Sequence, residues 1–338
     1  MSDRRADYDV TGQVKVTDTP NVLDVIHDVF RDVYKKYDAG TLNRAFEDCN
    51  DLFDGQYGGY LPCDTLYHDK QHTLDMTLAL ARIINGHDRS VANADKIGAD
   101  RALIAVITAL YHDSGYLRSK HDTKHHNGAE YTLSHVSRSA RFLKRYFQQL
   151  GMDKAADIAS QMVHYTGYEV APSKITLPDQ QLHKAGHMLG SADLMAQMSD
   201  RCYLEKCRDR LYPEFVIGGL AVQKDKDGNE KIIYSSADDL LSKTSAFYKN
   251  EVEVRLNKLF DKVYNYEAVH FDGKHLYYDA LNLNQSRLKR IVSKGSDFDS
   301  LRRRPPENYG TKNFPGLEEY LTLHPHLAPD LSKNIMPQ

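Results

Sequence analysis

The sequence lacks tryptophan, has little cysteine and contains no long apolar run. None of the 338 residues is Trp, and the four Cys residues form no CxxC pair. Four cysteines in a chain of this length do not indicate a disulfide framework. No eighteen consecutive residues are apolar, and the first ten residues lack the apolar region of a signal peptide. We therefore predict a cytoplasmic protein that does not engage membranes.

The chain also lacks a strong excess of charge of either sign. Its formal net charge is −3, so we expect no general binding of nucleic acid. Apolar residues make up 41% of the chain, which is enough for a substantial core. Histidine, in contrast, is abundant, with 16 residues. Because histidine titrates near neutrality and is the commonest metal ligand, a histidine-based site is a reasonable expectation.

Patterns typical of β-strands are nearly absent. Alternation with period two appears only in "KDGNEKIIYSS", where Asp227-Gly228 predicts the turn of a small hairpin. Elsewhere apolar residues recur at helical spacing, as at Val22, Ile26 and Val29. The sequence therefore predicts an all-α fold, a helical bundle with one small hairpin.

The predicted organisation is a single helical domain with two flanking segments. Residues 1–19 are polar, and we expect them to be flexible. Residues 20–300 form the domain, with the site within about residues 60–215. Residues 301–338 are rich in proline and predict an extended tail on the surface.

Two motifs place titratable groups in segments that otherwise predict buried helices. The first, "YHDKQHTLD", lies on a run that predicts a helix from about Thr65 to Asn85. His68 and His72 stand four residues apart, so a helix would place them on one face. A polar, solvated helix face is the alternative interpretation.

The second motif is "ALYHDSGY", which follows an almost continuously apolar run. A buried, ionised Asp113 needs a compensating cation, and a metal ion would suit both Asp113 and His112. Gly115 leaves a second interpretation open, in which the pair lies at a helix end and meets water.

Further candidate ligands follow in chain order on successive predicted helices: His125 or His126, then His164, then Asp193. Imidazole and carboxylate groups together suit Zn, Fe, Mn or Ni, and shells that mix them suit dinuclear sites. The whole set therefore predicts a metal centre.

The order of these residues resembles that of the HD-domain metalloprotein superfamily, whose members have a helical core and bind one or two metal ions. The stretch "YHDKQHTLDM" is similar to the "YHNxxHxxDV" motif of class I cyclic-nucleotide phosphodiesterases. This resemblance implies that His68 is the general acid. It implies four ligands for the first metal: His72, His112, Asp113 and Asp193. His125 and His164 resemble the histidine ligands of a second metal in other HD proteins, with His126 as the alternative to His125.

Two positions depart from the phosphodiesterase pattern. Asp69 stands where that family has Asn, and Tyr116 stands where it has a further His. The stretch "EFVIGG" at Glu214 resembles the family's "EFFxQG" only in part.

The expected reaction is hydrolysis of a phosphoester by a hydroxide that bridges two divalent metal ions, drawn from Fe, Mn, Zn, Ni and Mg. His68 would protonate the leaving oxygen, and Asp69 or Asp75 would orient an imidazole. Five residues are candidate substrate contacts: Arg118, Lys120 and Lys124 for phosphate, and Tyr165 and Gln197 for a base.

The predicted function is thus a metal-dependent phosphohydrolase acting on a nucleotide or another small phosphoester. Two alternatives stay open. One is an HD-domain oxygenase with a mixed-valent di-iron pair, and the other is a regulatory HD module without turnover. The sequence also leaves a homodimer open.

Overall fold

The computed structural model describes residues 5–224 and 230–328. The described chain is mostly helical with one two-stranded sheet, so the predicted all-α class is confirmed. The helices are α1 (Thr19–Val33), α2 (Ala39–Phe53), α3 (Lys70–Ser90), α4 (Ala99–Leu110), α5 (His135–Gln149), α6 (Asp153–Met162), α7 (Gln180–Ser199), α8 (Tyr203–Lys206), α9 (Tyr212–Ile217), α10 (Ala237–Phe247), α11 (Tyr266–His270), α12 (Leu276–Ser293), α13 (Tyr309–Asn313) and α14 (Leu317–Leu323). A π-helical turn (Cys207–Leu211) joins α8 to α9, and two more (Tyr248–Val252 and Arg255–Leu259) extend α10.

Helices α3 and α7 pack against each other at the centre of the bundle. Almost every residue of α3 is buried, because α1, α4 and α11 cover its other faces. A helix that is enclosed on all sides loses the one-sided apolar stripe of a surface helix. Polar residues on α3 and α7 are therefore held inside the protein, where each needs a partner.

Helix α3 begins at Lys70, five residues later than the sequence predicts. Asp69 is the N-cap, with extended backbone angles, and its carboxylate accepts a hydrogen bond from the His72 amide at 2.8 Å. Such a cap satisfies one of the free N–H groups of the first turn. His68 consequently lies in the loop before the helix and not on the helical face that carries His72.

The expectation of a flexible N-terminus is wrong for the described residues 5–18. Tyr8 and Lys15 form an isolated antiparallel bridge, and Val16 is buried. Asp9 forms an ion pair with Arg82 of α3 at 2.7 Å, and both side chains are buried. A buried pair of this kind is costly to break from one side. This partner lies more than seventy residues away, where no local sequence pattern indicates it.

The two strands of the predicted hairpin are present, as β1 (Val222–Lys224) and β2 (Glu230–Ile232). They pair antiparallel, with Val222 opposite Ile232. The predicted turn at Asp227-Gly228 lies outside the described residues.

The tail is not simply extended, because residues 301–328 include α13 and α14. Asn308 caps α13 by accepting from the Thr311 amide at 2.7 Å. Tyr320 of α14 packs against Ala129 and Ile217 of the domain. A cap and one buried contact stabilise helices that are too short to form alone. The remainder of the predicted tail, residues 329–338, lies outside the described residues.

Within the described residues, no helix combines the length and apolar character needed to cross a membrane.

Candidate metal centre

Three structural elements bring four predicted ligands together inside the bundle. His72 projects from the first turns of α3, His112 and Asp113 follow the end of α4, and Asp193 lies on α7. The Nε2 atom of His72 lies 3.3 Å from His112 Nε2 and 3.2 Å from Asp193 Oδ1. Asp113 Oδ2 lies 3.0 Å from His112 Nε2 and 3.6 Å from His72 Nε2. The four side chains are buried. His72, His112 and Asp113 each place one ligand atom within 4.8 Å of the other two, and Asp193 adjoins this group through His72.

These distances and the donor chemistry fit a metal ion. Two atoms that bind one ion at about 2.0–2.2 Å lie roughly 3.0–3.6 Å from each other. His112 Nδ1 donates to the Ala109 carbonyl at 2.8 Å, so the neutral ring directs the lone pair of Nε2 at the cluster. Asp113 Oδ2 is buried but accepts no well-formed hydrogen bond among the described residues. A cation would give a partner to both His112 Nε2 and Asp113 Oδ2.

The electrostatics of the cluster also favour a positive charge. Burial alone lowers the pKa of the His112 imidazole, but the Asp113 and Asp193 carboxylates raise it to about 9. Burial alone raises the pKa of the Asp113 carboxyl, but the His112 imidazole holds it well below its usual range. The carboxylates therefore create a position that a proton or a metal cation stabilises.

His135, the first residue of α5, extends the cluster on the other side of Asp113. Its Nε2 lies 3.8 Å from Asp113 Oδ1, and its Nδ1 donates to the Thr132 carbonyl at 2.7 Å. Burial lowers the pKa of the His135 imidazole, which favours the neutral form that binds metals. Gly115 permits this approach, because a Cβ there would collide with the His135 carbonyl. Sequence reasoning missed His135, since nothing in "SHVSR" distinguishes it from the other histidines.

The second-metal ligands predicted from sequence do not join this cluster. His125 lies 3.0 Å from Asp122 and packs against the Tyr131 ring. His126 is exposed and stacks on His324 of the tail. His164 is half-buried in the turn after α6 and is not among the residues that line the central cavity. All three belong to loops or turns outside the bundle's centre, whose path the spacing of histidines does not determine, and His135 is the histidine that approaches Asp113 from this side.

His68 forms a dyad with Glu214, a residue of α9. The His68 Nδ1 atom lies 2.5 Å from Glu214 Oε2, and the carboxylate is fully buried. Glu214 Oε1 also accepts from the Tyr67 amide at 2.6 Å, and the His68 ring stacks on Tyr116 with a centroid separation of 4.4 Å. Burial alone lowers the pKa of His68, but the Glu214 carboxylate raises it to about 9. His68 is therefore held in one orientation, with its ring at the edge of the His/Asp cluster.

The sequence predicts that Asp69 or Asp75 orients an imidazole. In the structure, Glu214 is the carboxylate that contacts the His68 ring. Asp69 caps α3 and also accepts from Asn308 Nδ2 at 2.7 Å and Arg210 Nη1 at 3.3 Å. Asp75 lies one turn beyond His72 and lines a small separate cavity together with Lys206. The carboxylate of Asp69 is thus used for stability rather than for orienting an imidazole.

A cavity of about 730 Å³ opens above the cluster. Gln197, a predicted substrate contact, lines this cavity, and its Oε1 accepts from the Tyr67 hydroxyl at 3.4 Å. The other predicted substrate contacts do not line this cavity. Arg118 pairs with Asp64 at 2.7 Å, Lys120 and Lys124 are exposed outside the cavity, and the Tyr165 hydroxyl bonds to His183 in the core.

The floor of this cavity is polar and its walls are mostly apolar. The floor contains the site residues just described. The apolar wall residues are Leu133, Val136, Leu194, Leu211, Phe215, Leu220, Ile233, Leu240 and Phe247.

The fold and the site together define an all-α protein with a buried His/Asp cluster at the base of an apolar cavity. The chain belongs to the Npun_R2479-like family, whose model matches residues 57–281. That range includes the four residues of the His/Asp cluster, His135 and the His68–Glu214 dyad. Comparison with curated proteins and with solved structures gives no match.

Proposed function

We propose that this protein is a metal-dependent hydrolase of phosphoesters. The observation that carries the proposal is the hydrogen-bonded pair of His68 and Glu214 beside a cluster of four metal-ligand side chains, in one cavity. A set of metal ligands alone is compatible with many kinds of metalloprotein. A histidine held in its protonated form next to them supplies what phosphoester cleavage needs in addition, a proton for the leaving oxygen.

The assignment of ligands follows from the contacts of each atom. Asp113 lies between His135 and the pair His72 and His112, with Oδ2 near that pair and Oδ1 near His135. Asp193 adjoins that pair, 3.2 Å from His72. These residues would hold two divalent ions, with Asp113 shared between them. When bound, such ions supply Lewis acidity to a phosphoryl group and lower the pKa of water.

The chain's own residues then control the proton. Glu214 accepts from His68 Nδ1, which leaves Nε2–H of the imidazolium directed away from the carboxylate. Tyr116 stacks on the ring and fixes its plane. His68 donates this proton to the leaving oxygen, and Glu214 stabilises the positive charge until it does so. The same set of residues supports membership of the HD-domain superfamily, which is part of this proposal.

The test combines metal content with turnover. Purified protein should contain up to two equivalents of a transition metal by mass spectrometry and should hydrolyse 4-nitrophenyl phosphoesters. His112→Ala should lose both metal and activity on every ester. His68→Ala should keep the metal, and its kcat should fall by about 10²–10⁴ on esters with poor leaving groups. His125→Ala is the matched control and should change neither.

Loss of metal from His68→Ala as complete as that from His112→Ala would make His68 a ligand and would contradict its role as the acid. A wild-type protein that binds metal but hydrolyses no phosphoester would contradict the hydrolase proposal.

One observation favours a second candidate, a di-iron oxygenase. Among the described residues that line the cavity, Lys243 is the sole Lys or Arg, so the chain itself offers little to a phosphate group. Consumption of O₂ by the iron-loaded protein, with a neutral substrate and no phosphoester turnover, would support this candidate. A regulatory module without turnover would bind metal and show neither activity. We also propose a cytoplasmic location, which the four free and buried cysteines support.

A further inference from the structure

Three large apolar side chains are exposed around the opening of the central cavity. Leu133 is 66% exposed, Tyr168 55% and Phe247 39%, and all three line the cavity. They come from different segments of the chain, the turn before α5, the loop after α6 and the end of α10. Exposed apolar groups that converge on one opening are typical of a surface that contacts a ligand.

The apolar character continues from the opening towards the metal cluster. Leu240 of α10 and Leu194 of α7 are buried in the walls, and Phe215 packs against the Tyr234 ring on the hairpin side. A ligand that reaches the cluster must therefore pass through and occupy an apolar channel. Burial of an apolar ligand body there is favourable, in proportion to the area that it removes from water.

The charged side chains of the cavity disfavour anionic groups away from the cluster. Lys243 is already bonded to Asp239 at 2.8 Å and to the Ile233 carbonyl at 2.7 Å. Two acidic residues, Glu169 and Glu251, line the same space. A second phosphate outside the cluster would meet these carboxylates and no unengaged Lys or Arg among the described lining residues.

We propose that the cavity selects phosphoesters that carry a single anionic phosphoryl group on an apolar aryl or alkyl body, in preference to nucleotides. This inference rests on the proposed function for the position of the phosphoryl group, at the His/Asp cluster. The apolar walls and opening hold the body of the substrate. Nucleotides with further phosphates are the least favoured, because of the carboxylates.

The test uses two monoanionic esters with the same leaving group, 4-nitrophenyl phenylphosphonate and the 4-nitrophenyl ester of thymidine 5′-monophosphate. With manganese-loaded protein, kcat/KM should be at least about tenfold higher for the phenyl compound. In parallel, calorimetry should show tighter binding of phenylphosphonate than of thymidine 5′-monophosphate, and weaker binding still of thymidine 5′-diphosphate. Equal or reversed preference in the binding measurement would overturn the inference.

The binding measurement separates this inference from the proposed function. If neither ester is hydrolysed but phenylphosphonate still binds more tightly than the nucleotides, the hydrolase proposal fails and the inference about the ligand stands. If both esters are hydrolysed at equal rates, the hydrolase proposal stands and the inference about the ligand fails.

A double variant tests whether the preference for the phenyl compound arises at the opening of the cavity. Leu133→Ser combined with Phe247→Ser should reduce affinity for phenylphosphonate by about tenfold and leave thymidine 5′-monophosphate unchanged. Both residues are partly exposed, so the fold tolerates the change. Leu283→Ser is the control, since Leu283 is 49% exposed on α12 and does not line the cavity. An equal loss in the control variant would contradict a specific role for the opening.

Discussion

Substitution of Glu214 by Gln should move the pH dependence of turnover without removing the metal. The His68 Nδ1 and Glu214 Oε2 atoms lie 2.5 Å apart, with side-chain exposures of 17% and 1%, so water screens the pair weakly. Gln is isosteric, and its amide oxygen still accepts from the Tyr67 amide. The substitution therefore removes one negative charge while it keeps the local packing.

The size of the effect follows from the charge that is lost. Burial lowers the pKa of His68, but the Glu214 carboxylate, with further contributions from Asp113 and Asp193, raises it to about 9. Loss of an adjacent opposite charge shifts a pKa by about 1–3 units, so the His68 pKa of the variant should be near 7. If His68 is the acid, as proposed, its protonated ring is the active form, so wild-type turnover should persist until the pH rises through about 9. The variant should lose activity from about pH 7 upwards.

The assay is kcat against pH for an alkyl ester, whose leaving group needs a proton. At pH 8 the variant should be about tenfold slower than wild type, and at pH 6 the two should agree within about twofold. Glu47→Gln, an exposed change on α2, is the matched control and should leave the profile unchanged. Metal content is measured at each pH. An unchanged basic limb in Glu214→Gln, with metal retained, would refute the role of Glu214 in holding His68 protonated.

Three further predictions test the metal centre and its supports. His135→Ala should lose one metal equivalent and retain the other; retention of both, measured by mass spectrometry, would exclude His135 as a ligand. Asp69→Ala removes a helix cap and the carboxylate partner of buried Arg210, so thermal and denaturant unfolding should show that the free energy of unfolding falls by about 3 kcal/mol. A fall below about 0.5 kcal/mol would contradict this structural role. Deletion of residues 302–338 should leave metal content unchanged, as the sequence predicts. It should lower the melting temperature and kcat, since Asn308 donates to the Leu66 carbonyl, two residues before His68, and Tyr320 packs against Ala129 and Ile217. Loss of metal would place the tail within the site.

His112, Asp113 and Asp193 were predictable as candidates because each one interrupts or follows an apolar helical run. A polar residue in such a run is conspicuous, and its burial demands a partner. Asp193 illustrates this, since α7 is enclosed within the bundle. His72 precedes its apolar run, and it was assigned to the same set through the resemblance to HD-domain proteins. The general class of the fold was predictable for a similar reason, because helical periodicity is a local property of the sequence.

His135 and Glu214 were not predictable in the same way, because tertiary packing alone gives them their partners. Glu214 is separated from His68 by 146 residues, and it sits on a short helix that a π-helical turn joins to α8. His135 reaches Asp113 only because Gly115 lets the turn after α4 approach the start of α5. No local periodicity encodes either contact. The errors at His125 and His164 have the same origin, since spacing along the chain does not determine where a loop histidine points.

The position of His68 depends on contacts from two distant parts of the chain. Glu214 binds its ring from α9, and Asn308 of the tail donates to the Leu66 carbonyl and to Asp69, on either side of the Tyr67-His68 pair. The residues of the His/Asp cluster, in contrast, lie on long helices of the core or at their ends. His72 is connected to the tail less directly, through Asp69, which accepts from both the His72 amide and Asn308. Asn308 lies beyond residue 281, where the match to the family model ends. Changes in the tail should therefore displace the loop that carries the proposed acid more than they displace the His/Asp cluster, so we expect them to affect the proposed proton transfer more than the proposed metal binding.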